Sequence, residues 1–310
     1  MKKAVIVVGM HRSGTSAVSG MLSSLGVFMG KKLFSAQKGV NEKGFYENSA
    51  IVDLNEKAFD LLNWTWDDPL ANCFEQFDET VVSSLEKQAL ALIKTEYQEQ
   101  PIWGMKDPRT SLLLPFWIKV LAKSNIEPCF ILMIRKPNEV VGSLKKRDDF
   151  SEMKSLMLWI NYTLSSYWQV KNEKFVIVSF DHLIGAPTEI IQQLKTEFGL
   201  VIEHPEKQDF IDPKMQNQKQ LDSGKSELHQ LANSVYLELT SEQPDKANIE
   251  KLTKTFNELK LKDSSVFIEH IHSLKLSETK YRQLFYTAYK SIWWKLATPF
   301  RKLEKLIMNN

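Results

Sequence analysis

Two glycines spaced five residues apart near the amino terminus enclose the residues best suited to bind an anion. The segment GMHRSGTS runs from Gly9 to Ser16 and has the spacing of the phosphate loop G-x-x-x-x-G-K-[ST], with Thr15 in the lysine position. Glycines let successive N–H groups face one concavity, and a helix that starts there adds its positive end. The residues expected to bind the anion are His11, Arg12, Ser13, Gly14, Thr15 and Ser16. The alternative is a glycine turn that binds nothing.

The missing lysine separates this loop from those of enzymes that use ATP or GTP. In such enzymes the lysine contacts the β- and γ-phosphates, and the next hydroxyl holds magnesium. Here Arg12 is the one cation within the loop besides a possible His11. The pattern therefore favours a donor with fewer charges, bound without a metal, over a nucleoside triphosphate. A nucleotide kinase or another P-loop phosphotransferase is the alternative.

A second candidate anion site follows the apolar run at residues 129–134. Arg135 comes at the end of this predicted strand, where open α/β sheets place their ligands, and Ser143 lies eight residues further along. An arginine and a hydroxyl so placed can clamp one phosphate. The alternative is a salt-bridged surface arginine. Taken with the glycine loop, the pair predicts a ligand that carries two separate phosphates.

These segments together resemble the sulfotransferases that use 3′-phosphoadenylyl sulfate (PAPS), and the glycan-modifying bacterial type in particular. GMHRSGTS is similar to their 5′-phosphosulfate loop, and the pair Arg135 and Ser143 is similar to their 3′-phosphate site. The segment NEKGFYE, residues 41–47, resembles their base segment, and KDPR, residues 106–109, is a pattern found in many bacterial members. The resemblance covers about residues 4–215.

The resemblance implies PAPS as co-substrate, adenosine 3′,5′-bisphosphate as product, and no metal. It implies that Arg12 contacts the transferred sulfate and that Lys106 stabilises charge on it. It favours Glu42 as the general base, with Glu47 as second choice, whereas solvated loop carboxylates are the structural alternative.

Further candidates lie on the acceptor side of the predicted site. Arg109 is expected to hold an acceptor or to brace Asp107, and the alternative is an ion-pair cluster that holds the loop. Trp64 and Trp66 could stack on sugar rings, although aromatic residues are more often part of a core. The acceptor favoured by these features is a surface glycan or its precursor. A non-catalytic glycan-binding protein is a further alternative.

Strands that alternate with helices predict the fold that positions these residues. The strand candidates are residues 4–8, 102–105, 129–134 and 175–180. The helix candidates are residues 15–25, 49–63, 78–97, 111–123, 137–147, 153–171 and 187–198. This order predicts an α/β fold, with a P-loop-type parallel sheet flanked by helices. The composition shifts near residue 215, which predicts a sulfotransferase-like domain at 1–215 and a helical C-terminal extension at 216–310.

Composition and charge restrict the remaining function classes. A net charge of +2 gives no general attraction to nucleic acid, and the six histidines and two cysteines show no metal-ligand spacing. The sequence contains no secretory signal and no run long enough to cross a membrane, so the expected location is cytoplasmic. At residues 281–307 aromatic side chains alternate with basic ones. This pattern predicts either peripheral contact with an anionic membrane or a helix packed on protein.

Overall fold

The structure is a computed structural model that describes residues 2–34, 44–69, 71, 79–200, 226–261 and 265–297. The chain divides into two compact units, Met1–Leu259 and Lys260–Asn310. The domain boundary expected at 215/216 falls within residues 201–225, outside the described residues, and stays a prediction.

A four-stranded parallel sheet forms the centre of the first unit. Its strands are β1 (Lys2–Val8), β2 (Ile102–Lys106), β3 (Ile126–Ile134) and β4 (Lys174–Ser179), in the spatial order β2-β1-β3-β4. All four predicted strands are confirmed to within three residues at each end, and so is the α/β class. Strand β2 pairs with one side of β1, and β3, which comes later in the chain, pairs with the other side. The strand order therefore changes direction at β1, and open α/β sheets bind ligands at the carboxyl end of the strands where this change occurs.

The sheet is buried on both faces, as the unbroken apolar run in β1 indicates. Ala4, Ile6 and Val8 belong to one hydrophobic cluster, whereas Val5 and Val7 belong to another. All five side chains are fully buried. Because side chains alternate between the faces of a strand, a strand apolar at every position needs helices on both sides of the sheet.

The helices mostly match the sequence prediction. In chain order they are α1 (Thr15–Ser24), α2 (Ser49–Leu62), α3 (Glu79–Tyr97), a 3₁₀ helix (Pro108–Leu112), α4 (Leu114–Lys123), α5 (Pro137–Asp148), α6 (Glu152–Val170), α7 (Phe180–Gly185), α8 (Pro187–Phe198), α9 (Glu227–Leu239), α10 (Lys246–Leu261), α11 (Ser265–Lys290) and α12 (Ile292–Leu296).

Two local features differ from the prediction. The single helix expected at 111–123 is divided, because Asp107 caps a 3₁₀ turn and Pro115 opens a new helix in which its missing N–H costs nothing. Helix α7 was not predicted. It follows β4 directly, and the Ser179 hydroxyl caps it by accepting a hydrogen bond from the N–H of His182.

Helix α1 begins differently from α2 and α7. Asn48 caps α2 with its side chain, whereas α1 starts at Gly14 with no side-chain cap. The first N–H groups of a helix have no partner within the helix, so an uncapped start leaves donors for a ligand. The start of α1 is therefore suited to bind an anion.

Helix α9 packs against α5 and α6 in the first unit. Its apolar stripe is buried, with Leu228, Leu231 and Val235 in the main hydrophobic cluster. Part of the extension expected after residue 215 thus contributes to the core that supports the sheet.

Candidate functional site

The glycine loop between β1 and α1 has an unusual backbone. Gly9, Arg12 and Gly14 have φ angles of 136°, 69° and 94°, so the chain reverses its curvature several times within six residues. A Cβ atom on Gly9 would lie 2.4 Å from the carbonyl oxygen of Met133, and one on Gly14 would lie 2.4 Å from the ring of Phe180. Both glycines are therefore required by the close approach of β3 and α7, as well as by their own φ angles.

A hydroxyl from a neighbouring element holds the loop in place. The N–H of Gly9 donates to Ser111 Oγ at 2.9 Å, and this hydroxyl lies within reach of the Gly9 carbonyl oxygen at 3.3 Å. Ser111 belongs to the 3₁₀ helix after β2 and is fully buried. Sequence reasoning missed it, because a lone serine five residues beyond a strand carries no signal of its own.

The two predicted anion sites adjoin each other. Arg12 Nε donates to Ser143 Oγ at 2.8 Å, and Arg135 Nη1 donates to the carbonyl oxygen of Arg12 at 3.3 Å. The parallel strands β1 and β3 bring their carboxyl ends together, and Ser143 reaches the loop from α5. Residues more than 120 positions apart in the chain thus form one cationic cluster beside the glycine loop.

Arg135 is buried but has donor capacity left over. Its Nε lies 2.7 Å from Glu139 Oε2, and its guanidinium stands 4.2 Å from the centroid of the Phe180 ring. Its Nη2 is buried and has no hydrogen-bond partner among the described residues. A buried charged donor without an acceptor is costly, so this atom marks a place where an anionic ligand would restore the missing bond.

Arg147 is a further cation of this cluster that the sequence analysis did not single out. Its guanidinium lies 5.1 Å from the ring centroid of Trp66, and its Nε pairs with Asp148 at 2.7 Å. Burial first, and then the charges of Arg147 and Arg135, lower the pKa of Arg12. The signal was present, since Ser143 and Arg147 are four residues apart and so share one face of α5.

His11 is held among aromatic rings and stays neutral. Its ring lies 4.4 Å from that of Trp66 and 6.0 Å from that of Tyr162, between centroids. Burial, followed by the charges of nearby cations including Arg109, lowers the pKa of His11 well below its ordinary value. His11 therefore adds no positive charge to the loop at neutral pH.

Lys106 brings an ammonium group to the start of α1 from the neighbouring strand β2. Its Nζ lies 2.6 Å from Glu47 Oε1, 3.1 Å from Ser16 Oγ and 3.2 Å from the carbonyl oxygen of Phe45. Lys106 is almost fully buried, and the side chain of Glu47 is 13% exposed. The structure thus brings together Lys106, Glu47 and the loop. Glu42 lies outside the described residues.

Asp107 and Arg109 form an ion-pair cluster behind the site. Asp107 is fully buried and accepts hydrogen bonds from Asn55 Nδ2 at 2.9 Å and from Arg109 Nη1 at 2.8 Å. Arg109 also pairs with Glu56 at 2.5 Å. Although burial opposes the charged form, these two carboxylates raise the pKa of Arg109 above its ordinary value. Arg109 thus braces Asp107, which was one of the two expectations for this arginine, and does so within an ion-pair cluster.

The two tryptophans proposed as a sugar platform lie in different environments. Trp64 is 7% exposed and contacts Phe59 within the main core, so its position is that of a core residue. Trp66 is half-buried, with His11 on one side and the Phe150 ring 5.7 Å away. Of the two, Trp66 is the one that borders the glycine loop.

The described residues contain neither a metal-ligand cluster nor a membrane-spanning helix. Within the described residues, no group of three or more His, Cys, Asp or Glu side chains could hold a metal ion. No helix in that part of the chain combines the length and the hydropathy needed to cross a bilayer.

Solved structures with a similar fold include sulfotransferases, although the likeness is remote. The sulfotransferase domain of the Synechococcus olefin synthase matches 83% of this chain and 96% of its own, with 14% identity and a TM-score of 0.40. The sulfotransferase STF9 from Mycobacterium avium matches 85% of this chain and 77% of its own, with 13% identity and a TM-score of 0.42. No protein-family model and no curated protein matches the sequence. At these values the likeness assigns neither a substrate nor a residue role to this chain.

Proposed function

We propose that this protein is a sulfotransferase that moves a sulfuryl group from PAPS to an acceptor hydroxyl, with a glycan as the acceptor. The observation that carries the proposal is the buried, unpartnered Nη2 of Arg135 beside a glycine loop that has no lysine. Such an arrangement suits a ligand with one anionic group in the loop and a second at Arg135.

The residues present fit the two anionic groups of the donor. The N–H groups of the loop and of the uncapped start of α1 would hold the 5′-phosphosulfate, with Arg12 beside it. Arg135 and Ser143 would hold the 3′-phosphate. Because Arg12 already contacts both Ser143 and Arg135, a donor that binds at one site also organises the other.

The transfer itself needs a base and a positive environment. The acceptor oxygen forms a bond to sulfur as the bond from sulfur to the leaving phosphate oxygen breaks, and the acceptor proton passes to a carboxylate. We assign that proton to Oε2 of Glu47, since its Oε1 is engaged by Lys106, and keep Glu42 as the alternative base. Lys106 and Arg12 stabilise the charge on the sulfuryl and leaving phosphate oxygens.

Calorimetric titration with adenosine 3′,5′-bisphosphate in the absence of magnesium tests the donor site. We expect binding of the bisphosphate to be at least about tenfold tighter than that of 5′-AMP, because the second phosphate gains charge-assisted hydrogen bonds. Arg135→Ala should remove this advantage, whereas Arg282→Ala, a change at an exposed arginine of α11, should keep it. Equal binding of both nucleotides, or a preference for ATP with magnesium, would support the phosphotransferase alternative.

Transfer of radiolabelled sulfate from PAPS to a panel of glycans tests the reaction. We expect labelled product with the unaltered protein, and a strong loss of kcat in either Glu47→Gln or Glu42→Gln that identifies the base. Binding of the bisphosphate without any transfer across the panel would favour a binding protein that has lost catalysis.

A further inference from the structure

An aromatic cluster that has no role in the proposed reaction lies in the second unit, at the end of α11 and in α12. The rings of Phe285 and Tyr289 stack with centroids 6.0 Å apart, one helical turn from each other. Trp294 contacts both rings, at 6.1 Å and 6.0 Å, because the helix ends at Lys290 and the Ser291 hydroxyl accepts a hydrogen bond from the N–H of Trp294. The cluster is thus formed by residues close in sequence.

The apolar side chains around this cluster face solvent. Trp293 is 81% exposed, Ile292 73% and Tyr281 70%. Other large apolar residues in the same segment are also more than half exposed; they are Leu284, Phe285, Tyr286, Tyr289 and Leu296. So many large apolar side chains exposed within one short segment mark an interaction site.

The same part of the chain carries most of its excess positive charge. Residues 275–310 contain eight Lys and Arg against two Asp and Glu, a net charge of +6, whereas the whole chain has +2 and the remainder therefore −4. Lys280 and Lys290 border the aromatic surface and are exposed. The partner of this surface should therefore be anionic as well as able to accept aromatic rings.

We propose that residues 281–297 bind the surface of an anionic lipid bilayer. Tryptophan and tyrosine rings settle at the level of the lipid headgroups, where one end of the ring is in an apolar medium and the other in water. Lysine side chains at the same level attract acidic headgroups. This segment would hold the protein at a membrane.

A second copy of the chain fits the same surface less well. Association of two identical segments would bring two net charges of +3 together, because residues 281–297 contain three basic residues and no acidic one. Like charges in contact cost free energy and oppose such a dimer. An anionic bilayer is complementary in both charge and apolar character.

Co-sedimentation of the full chain with vesicles tests the proposal. The vesicles are phosphatidylcholine alone, or phosphatidylcholine with 30 mole per cent phosphatidylserine. We expect at least about tenfold stronger binding to the anionic vesicles, reduced by added salt. Tyr281→Ser with Trp293→Ser should reduce this binding about tenfold or more. The exposed positions of both residues mean that the fold should be retained.

Matched control variants distinguish binding through residues 281–297 from a general effect of exposed apolar or basic residues. Leu237 is 67% exposed and Lys254 has an 80% exposed side chain, and both lie in the first unit. Leu237→Ser and Lys254→Glu should leave vesicle binding unchanged, whereas Lys280→Glu with Lys290→Glu should weaken it. Equal binding to both vesicle types, or equal loss in the controls, would overturn the proposal. A concentration-dependent dimer that the Tyr281 and Trp293 changes abolish would assign the surface to a second copy.

Discussion

The glycine loop and the aromatic segment of α11 and α12 are both cationic, but they hold their charges in opposite ways. At the loop, Arg12, Arg135 and Lys106 are mostly buried, and each contacts a hydroxyl, a carbonyl or a carboxylate at a defined distance. In the aromatic segment, Lys280 and Lys290 are exposed to solvent. Buried, hydrogen-bonded charges select a ligand by geometry, whereas solvated charges attract any surface of opposite sign.

The same difference should appear in how each region responds to substitution. A buried network leaves an unpaired partner behind when one member is removed, so single changes there have large effects. When an exposed side chain is removed, solvent takes its place. Substitutions of exposed residues should therefore alter binding without altering stability.

The largest effect is expected for Gly9→Ala. A Cβ there would lie 2.4 Å from the Met133 carbonyl oxygen at a φ of 136°, so both strain and overpacking oppose the change. We expect a loss of about 3–5 kcal/mol in the free energy of unfolding, measured by urea denaturation. Gly185→Ala is the control, since nothing lies within 4 Å of its Cβ position. Equal stability of the two variants would contradict the geometry of the loop.

The second-largest effect is expected for Lys106→Met, which should lower the rate of turnover. The change removes the ammonium group that contacts Glu47 and Ser16 but keeps a side chain of similar length. We expect kcat/KM for sulfuryl transfer to fall about 10²–10³-fold, as for the loss of other buried groups that stabilise transition-state charge. Lys119→Met, at a half-exposed position on α4, should leave turnover unchanged. Full activity in Lys106→Met would remove this lysine from the proposed mechanism.

A smaller effect is expected from the protonation of His11. Burial and nearby cations keep its pKa well below the ordinary value in the folded state, whereas the unfolded chain takes up a proton as pH falls through about 6.5. The unfolded state then binds more protons, so stability decreases below that pH by up to about 1.4 kcal/mol per pH unit. Urea denaturation from pH 5 to 8 should show a shallower decrease in His11→Gln. An unchanged slope in His11→Gln would show that this histidine does not cause the decrease.

The smallest effect on stability is expected for Trp293→Ser. The side chain is 81% exposed, so its loss should change the free energy of unfolding by less than about 0.5 kcal/mol. Replacement of the fully buried Trp117 by alanine, by contrast, should lower the free energy of unfolding by about 3–5 kcal/mol. Thermal unfolding of both variants would show the difference directly. A large loss in Trp293→Ser would indicate that this residue is packed in the folded protein.

The sequence allowed the fold to be predicted better than the site. The strands and most helices follow from apolar runs, capping residues and prolines, which act over a few residues. Ser111 escaped notice because it matters only through Gly9, which lies far away in the chain. Arg147 was also missed, although its four-residue spacing from Ser143 on one helix could have indicated it. Trp64 and Trp66 are two residues apart and share a sequence context, yet one lies in the core and the other borders the loop.

What the sequence by itself determined is local: the glycine loop after β1, the helix that starts at that loop, the missing lysine, and a basic aromatic segment near the end of the chain. The tertiary structure decided which side chains meet. The sheet order places the carboxyl ends of β2 and β3 on either side of β1, so that Lys106 and Arg135 reach the same loop from opposite sides. Strand pairing between distant segments sets these contacts, and spacing along the chain does not encode such pairing.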